Sequence, residues 1–182
     1  LLTLNDNVAL SGGSSTVYVD GPMKKIGNDV FTFPLGNSGV WARLGITAPT
    51  TATTEYTAQY FNSAYSDLSV DATLTDISAS EYWTLTQGVN NDDVRVSLYW
   101  EDAGGHNIDN CADLEVAHYT GSDWVKEDGT ASGTCTGAGA GSVQTNANVA
   151  TYSPFTFGST SLSLNPLPIE LLSFTAIFND KD

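Results

Sequence analysis

The sequence predicts an all-β chain folded as an antiparallel β-sandwich, jelly-roll or immunoglobulin-like in kind. Short segments alternate apolar and polar residues with a period of two, as in Tyr82-Trp83-Thr84-Leu85-Thr86 and Val94-Arg95-Val96-Ser97-Leu98-Tyr99-Trp100. Clusters of Gly, Asn, Asp and Ser punctuate these segments at near-regular intervals. No stretch sustains the 3.6-residue period of a helix.

Taken in order, Leu2-Thr3-Leu4 and Val8-Ala9-Leu10 are strand-like pieces broken by Asn5-Asp6-Asn7, and Thr16-Val17-Tyr18-Val19 follows a Gly-Ser turn. Rungs this short and this closely spaced look like the last coil of a β-solenoid, which cannot bury its own face. Residues 1–19 are therefore expected to form a strand segment that leans on something before it. Val30 to Gly36 is an aromatic strand stopped by Pro34, and Val40 to Ile46 continues the set. Thr51 to Tyr60 is Thr-rich and reads as a polar, exposed strand, and residues 61–76 read as a loop.

Ser80 to Trp100 is the expected centre of the core. Its two alternating segments flank the turn residues Gln87 to Asp93, so the stretch reads as one antiparallel hairpin with Trp83 and Trp100 facing inward. Leu114–Tyr119 and Trp124–Glu127 form a further hairpin about Thr120-Gly121-Ser122-Asp123. Ser142–Val149 and Phe155–Gly158 complete a sandwich spanning residues 20–165. Pro166-Leu167-Pro168 is a stiff linker, and residues 166–182 read as that linker and the first strand of a following domain.

The 182 residues carry 6 Lys+Arg against 21 Asp+Glu, a formal net charge of −15. Such a field repels phosphate backbones and anionic lipid, so nucleic acid and membrane surfaces are not the expected partners. No apolar run approaches the roughly 20 residues of a membrane-spanning helix. The opening Leu1-Leu2-Thr3-Leu4 reads as a piece of something longer, or as a mature form.

The sites with chemistry are few. Cys111 and Cys135 lie in polar, Gly-rich loops, where an even cysteine count favours a disulfide. Two free thiols, or a metal site with His106 and His118, are the competing readings. The acidic loop supplies Asp102, Asn107, Asp109 and Asp113, oxygen donors of the type Ca²⁺ takes, although their spacing is not that of an EF-hand and a solvated loop is the alternative. No cofactor is expected, unless this loop binds Ca²⁺. Tyr56 and Tyr60 on the Thr-rich strand are the first candidates for stacking on a sugar. No Gly-x-Ser-x-Gly elbow occurs, and among so many acids composition nominates no catalytic pair. The chain is expected not to be an enzyme.

Three stretches in order carry a resemblance. These are Val19-Asp20-Gly21-Pro22-Met23 followed by Phe31-Thr32-Phe33-Pro34-Leu35-Gly36; Ile77-Ser78 with Glu81-Tyr82-Trp83; and Asn165-Pro166-Leu167-Pro168-Ile169-Glu170-Leu171-Leu172-Ser173-Phe174. Together they resemble exported surface proteins of Bacteroidetes-type bacteria, substrates of type IX secretion. In that family a Pro-Leu-Pro linker leads into a fibronectin-III-like strand, and a sorting domain usually follows. The resemblance implies an extracellular or outer-surface location and a structural or adhesive role, and it transfers no catalytic residue. The expected function is thus a non-catalytic module of a surface or filament protein. It would work through end-to-end contacts with neighbouring domains of its own chain or with other copies of itself. The alternative is a Ca²⁺-assisted carbohydrate-binding module that holds surface glycans.

Overall fold

In the computed structural model, residues 1–90, 92–152 and 154–161 are described. The strands, in chain order, are β1 (Leu2–Leu4), β2 (Val19–Asp20), β3 (Met23–Ile26), β4 (Phe31–Phe33), β5 (Leu35–Asn37), β6 (Val40–Trp41), β7 (Leu44–Ile46) and β8 (Glu55–Phe61). They continue as β9 (Asp76–Ile77), β10 (Tyr82–Gln87), β11 (Val96–Trp100), β12 (Leu114–Tyr119), β13 (Trp124–Glu127), β14 (Gly129–Gly133), β15 (Gly141–Thr145) and β16 (Pro154–Ser159). Two 3₁₀ turns, Gly104–His106 and Cys111–Asp113, are the only helical pieces among the described residues. No helix there is long and apolar enough to cross a membrane.

An eight-stranded sheet runs β1-β3-β8-β10-β16-β12-β13, with β9 also paired to β16. It packs against a five-stranded sheet, β14-β15-β11-β7-β4, and a small β2-β5-β6 sheet completes the fold. Pairing is antiparallel except for β1 with β3 and β2 with β5. The expected sandwich is what forms. Its core follows from the period-two alternation of each strand. Met23, Tyr56, Tyr60, Trp83, Leu85, Phe155 and Phe157 enter from the large sheet, and Phe31, Phe33, Leu44, Val96, Leu98, Trp100 and Val143 from the other.

Trp83 and Trp100 are both completely buried, as their alternation predicts. The hairpin reading of Ser80–Trp100 is corrected. β10 pairs with β8 and β16, whereas β11 pairs with β7 and β15. The turn-rich residues between them cross from one sheet to the other. The two tryptophans therefore meet from opposite sheets with the Phe157 ring between them, at centroid distances of 5.3 and 6.0 Å. Each indole N–H donates to a backbone carbonyl, Trp83 to Ala42 and Trp100 to Thr134, both at 3.1 Å. These bonds satisfy the polar end of a side chain that would otherwise be costly to bury.

Residues 1–19 form no solenoid rung. β1 extends the sandwich's own large sheet, with Leu2 opposite Met23 and Leu4 opposite Lys25. The ammonium of Lys25, itself buried, donates to the Asn5 carbonyl at 2.9 Å and to Asp29 at 2.8 Å. The backbone N–H of Asn7 donates to the same Asp29 carboxylate at 3.0 Å. A buried cation needs such partners, and here they pin the chain after β1 onto the sheet. The loop over residues 62–75 is likewise structured. It lies on the outer face of the large sheet, where Leu74 and Ile77 pack with Ala117 and Trp124, flanked by Tyr65, Tyr82 and Tyr119. The Trp124 indole donates to the Asp67 carbonyl at 2.7 Å. The Pro-Leu-Pro linker and the strand expected over 169–178 lie outside the described residues.

Candidate functional site

Cys111 and Cys135 are joined in a disulfide, the reading favoured from their loop context. Cys111 opens the turn into β12 of the large sheet, and Cys135 lies two residues beyond β14 of the five-stranded sheet. The bond ties the two layers together at one end of the sandwich.

Tyr56 and Tyr60 do not form a sugar-stacking platform. β8 lies inside the large sheet between β3 and β10, and its alternation turns Tyr56, Ala58 and Tyr60 inward, leaving the tyrosines 1% and 2% exposed. Their hydroxyls serve the fold. That of Tyr56 hydrogen-bonds the Tyr152 hydroxyl at 2.9 Å, receives Gln87 Nε2 at 2.8 Å and donates to the Asp92 carbonyl. That of Tyr60 donates to Glu81 at 3.1 Å. Burial above all, with Tyr152 beside Tyr56 and the Glu81 charge beside Tyr60, raises both phenols far above their ordinary value.

The acidic loop does not assemble as a single donor cluster. Buried Ala103 and Ile108 draw it into the end of the sandwich and leave its acids with different neighbours. Asp102 lies beside Gly105 and His106. Asn107 takes a left-handed turn with φ 53°, and Asp109 is exposed. Asp113 instead accepts from Asn110 Nδ2 at 2.5 Å and from Thr160 Oγ1 at 3.3 Å. Among the described residues no three His, Cys, Asp or Glu side chains gather as metal ligands.

Two features escaped the sequence reading. The first is a cleft of about 360 Å³ lined by Val40, Tyr60, Asn62, Ser80, Glu81 and His106. The Glu81 carboxylate is buried at its back, between the Tyr60 hydroxyl and His106 Nδ1. Burial opposes a charged imidazole there. The hydrogen bond and charge of Glu81, with the charge of Asp102, outweigh it and hold His106 above its ordinary value.

The second is a polar groove of about 420 Å³ on the outer face of the five-stranded sheet. Pairing places Thr32, Gly45, Ser97, Gln144 and Thr130 in one row across all five strands, and Tyr99, Ser142 and Ser132 in the next. From Ser97 to Thr130 the row spans two strand spacings, about 10 Å. Gln144 Nε2 donates to Ser97 Oγ at 2.8 Å, and Thr130 Oγ1 to Asn146 Oδ1 at 2.6 Å, so the floor is pre-ordered. Gly45 keeps one side low, since a Cβ there would meet the Tyr99 ring and Ser97 at 3.2 Å. The Arg43 guanidinium lies 4.4 Å from the Tyr99 ring centre and 5.6 Å from that of Trp41, and Glu101 holds its far side at 2.5 Å. This stack fixes Tyr99 as a firm end wall. Arg95 stands at the rim, and no carboxylate lines the groove. The sequence does place Arg95, Ser97 and Tyr99 together on the non-core face of their strand. What it does not contain is the register that sets them beside Gln144 and Ser132. Compared with known proteins, the chain matches no family model, no curated protein and no solved structure.

Proposed function

We propose that the chain is a non-catalytic adhesive module of an exported bacterial surface protein, and that it holds surface glycans in the groove on its five-stranded sheet. The observation that carries this reading is the groove itself, a concave row of hydroxyls and amides without a carboxylate and with an aromatic end wall. Sugars present dense hydroxyls and apolar ring faces, and such a surface offers matching donors, acceptors and one flat ring. The Cys111–Cys135 disulfide supports export, because such bonds persist in oxidising compartments. The resemblance of the Pro-Leu-Pro region to type IX secretion substrates supports the same location. Binding to a polysaccharide panel, with and without EDTA, tests the proposal. The native chain should bind at least one polysaccharide saturably, and Ser142→Trp, which fills the groove, should abolish that binding. Binding unaffected by Ser142→Trp, or no binding to any member, would overturn it. Loss in EDTA would point to a calcium-assisted form of the same reading.

A second reading, a structural joint, is favoured by the N-terminal edge. β1 is an outermost strand, Leu2 on it is 45% exposed and Leu1 just before it 74%, and Val8, Leu10 and Val17 of the following segment are exposed as well. Open edges and apolar surface are usually covered. A neighbouring domain or a second copy would do so, and the mass of the chain in solution at increasing concentration tests the second copy.

A further inference from the structure

In a chain carrying −15, a basic side chain has acids on every side to pair with. Among the described residues Lys24 pairs with Glu55 at 2.6 Å, Lys25 with Asp29 at 2.8 Å, Arg43 with Glu101 at 2.5 Å and Lys126 with Asp128 at 2.7 Å. Arg95 is the exception. It is exposed, has no carboxylate of the described residues within salt-bridge distance, and stands at the rim of a groove lined by hydroxyls and amides apart from Tyr99 and itself. Its backbone is held by Thr47, the Arg95 N–H donating to Thr47 Oγ1 at 2.9 Å and the Arg95 carbonyl accepting from the Thr47 N–H at 3.2 Å. The guanidinium fork is left for a ligand.

Resting on the glycan-binding reading above, we infer that the groove takes a polysaccharide built from uronic acids, with a sugar carboxylate on the Arg95 guanidinium. A guanidinium is charged at every physiological pH and matches a carboxylate with two parallel N–H···O bonds. The side chains of Ser132, Ser142 and Gln144 then face the sugar hydroxyls, with buried Ser97 holding the Gln144 amide in place. The negative field of the whole protein opposes this ligand at long range, as it does a phosphate backbone, and slows the encounter. At physiological ionic strength charges are screened over about 8 Å, so the local arrangement decides, and the groove lining holds no acid.

The test compares polygalacturonate and alginate with methyl-esterified polygalacturonate and a neutral β-glucan, by affinity electrophoresis and calorimetry at physiological salt. The native chain should bind the free-acid polymers. Esterification of the ligand, or Arg95→Gln in the protein, should each weaken binding about ten- to a hundredfold, the range for a lost charge-assisted hydrogen-bonded pair. Lys126→Gln, which removes a cation already paired elsewhere, should leave binding unchanged. An unaltered thermal midpoint shows that Arg95→Gln folds normally, as the exposed side chain leads one to expect. Equal binding of the esterified or neutral polymer, or full binding by Arg95→Gln, would overturn the uronate inference and leave the groove reading standing. A native chain that binds none of the four polymers would overturn the uronate inference, and failure across the wider panel would sink the groove reading with it.

Discussion

Removing the Cys111–Cys135 bond is the sharpest perturbation of this fold that leaves every large core side chain in place, although Cys135 itself is buried in the core. The two cysteines are 24 residues apart, and the enclosed segment holds β12, β13 and β14. Closing a loop of that length lowers the entropy of the unfolded chain by an amount worth about 3.5 kcal/mol at 25 °C. For a chain of this size that corresponds to a fall in Tm of about 7–14 °C. The folded side adds to the expectation, since Trp100 donates to the carbonyl of Thr134, the residue next to Cys135. Scanning calorimetry of the native chain, with and without a phosphine reductant, measures the effect. The Cys111→Ser/Cys135→Ser variant, which the reductant cannot alter, is the control. Reduced native chain and variant should melt together, well below the oxidised chain. A shift under about 2 °C would mean that the unfolded chain is already constrained over this segment, and the entropic argument would fail.

Trp83→Ala should cost about 3–5 kcal/mol in urea unfolding, because it opens a cavity against Tyr60 and Phe157 and strands the Ala42 carbonyl. A cost below about 1 kcal/mol would put the ring outside the core. His106 makes stability depend on pH. Its folded pKa lies above the unfolded value of about 6.5, so the stabilisation is full below that pH and lost as pH rises through the folded pKa. The difference in stability between the native chain and Glu81→Gln should therefore shrink as pH rises above about 6.5, and a difference that stays constant would count against the pair.

Much of the fold is legible in the residues because β alternation reports directly which face is apolar. Trp83, Trp100 and the Leu114–Glu127 hairpin follow from it. Strand partners do not, since β10 and β11 show the same alternation whether they pair side by side or face each other across a core. The inward turn of Tyr56 and Tyr60 was hidden by the threonines around them. A polar strand reads as exposed, and only its place between β3 and β10 makes one of its faces core. The solenoid-like spacing of residues 1–19 carried no sign that Lys25 would reach out to hold them. Tyr65, Val70 and Leu74 have no regular spacing, so the cover they form over Trp124 left no trace in the pattern. The groove was half legible. Arg95, Ser97 and Tyr99 share a face in the sequence, but the low floor at Gly45 and the neighbouring β14–β15 hairpin come from pairing alone.

The central claim, that the outer face of the five-stranded sheet is the binding surface, is tested most directly by titrating the ¹⁵N-labelled chain with a short oligogalacturonate and following its amide resonances. The account predicts shifts concentrated at residues 95–99, 130–132 and 142–146 and at Gly45, saturating together with one affinity. Shifts clustered instead along β1 and Val8–Leu10, or spread without saturation over the whole chain, would contradict it.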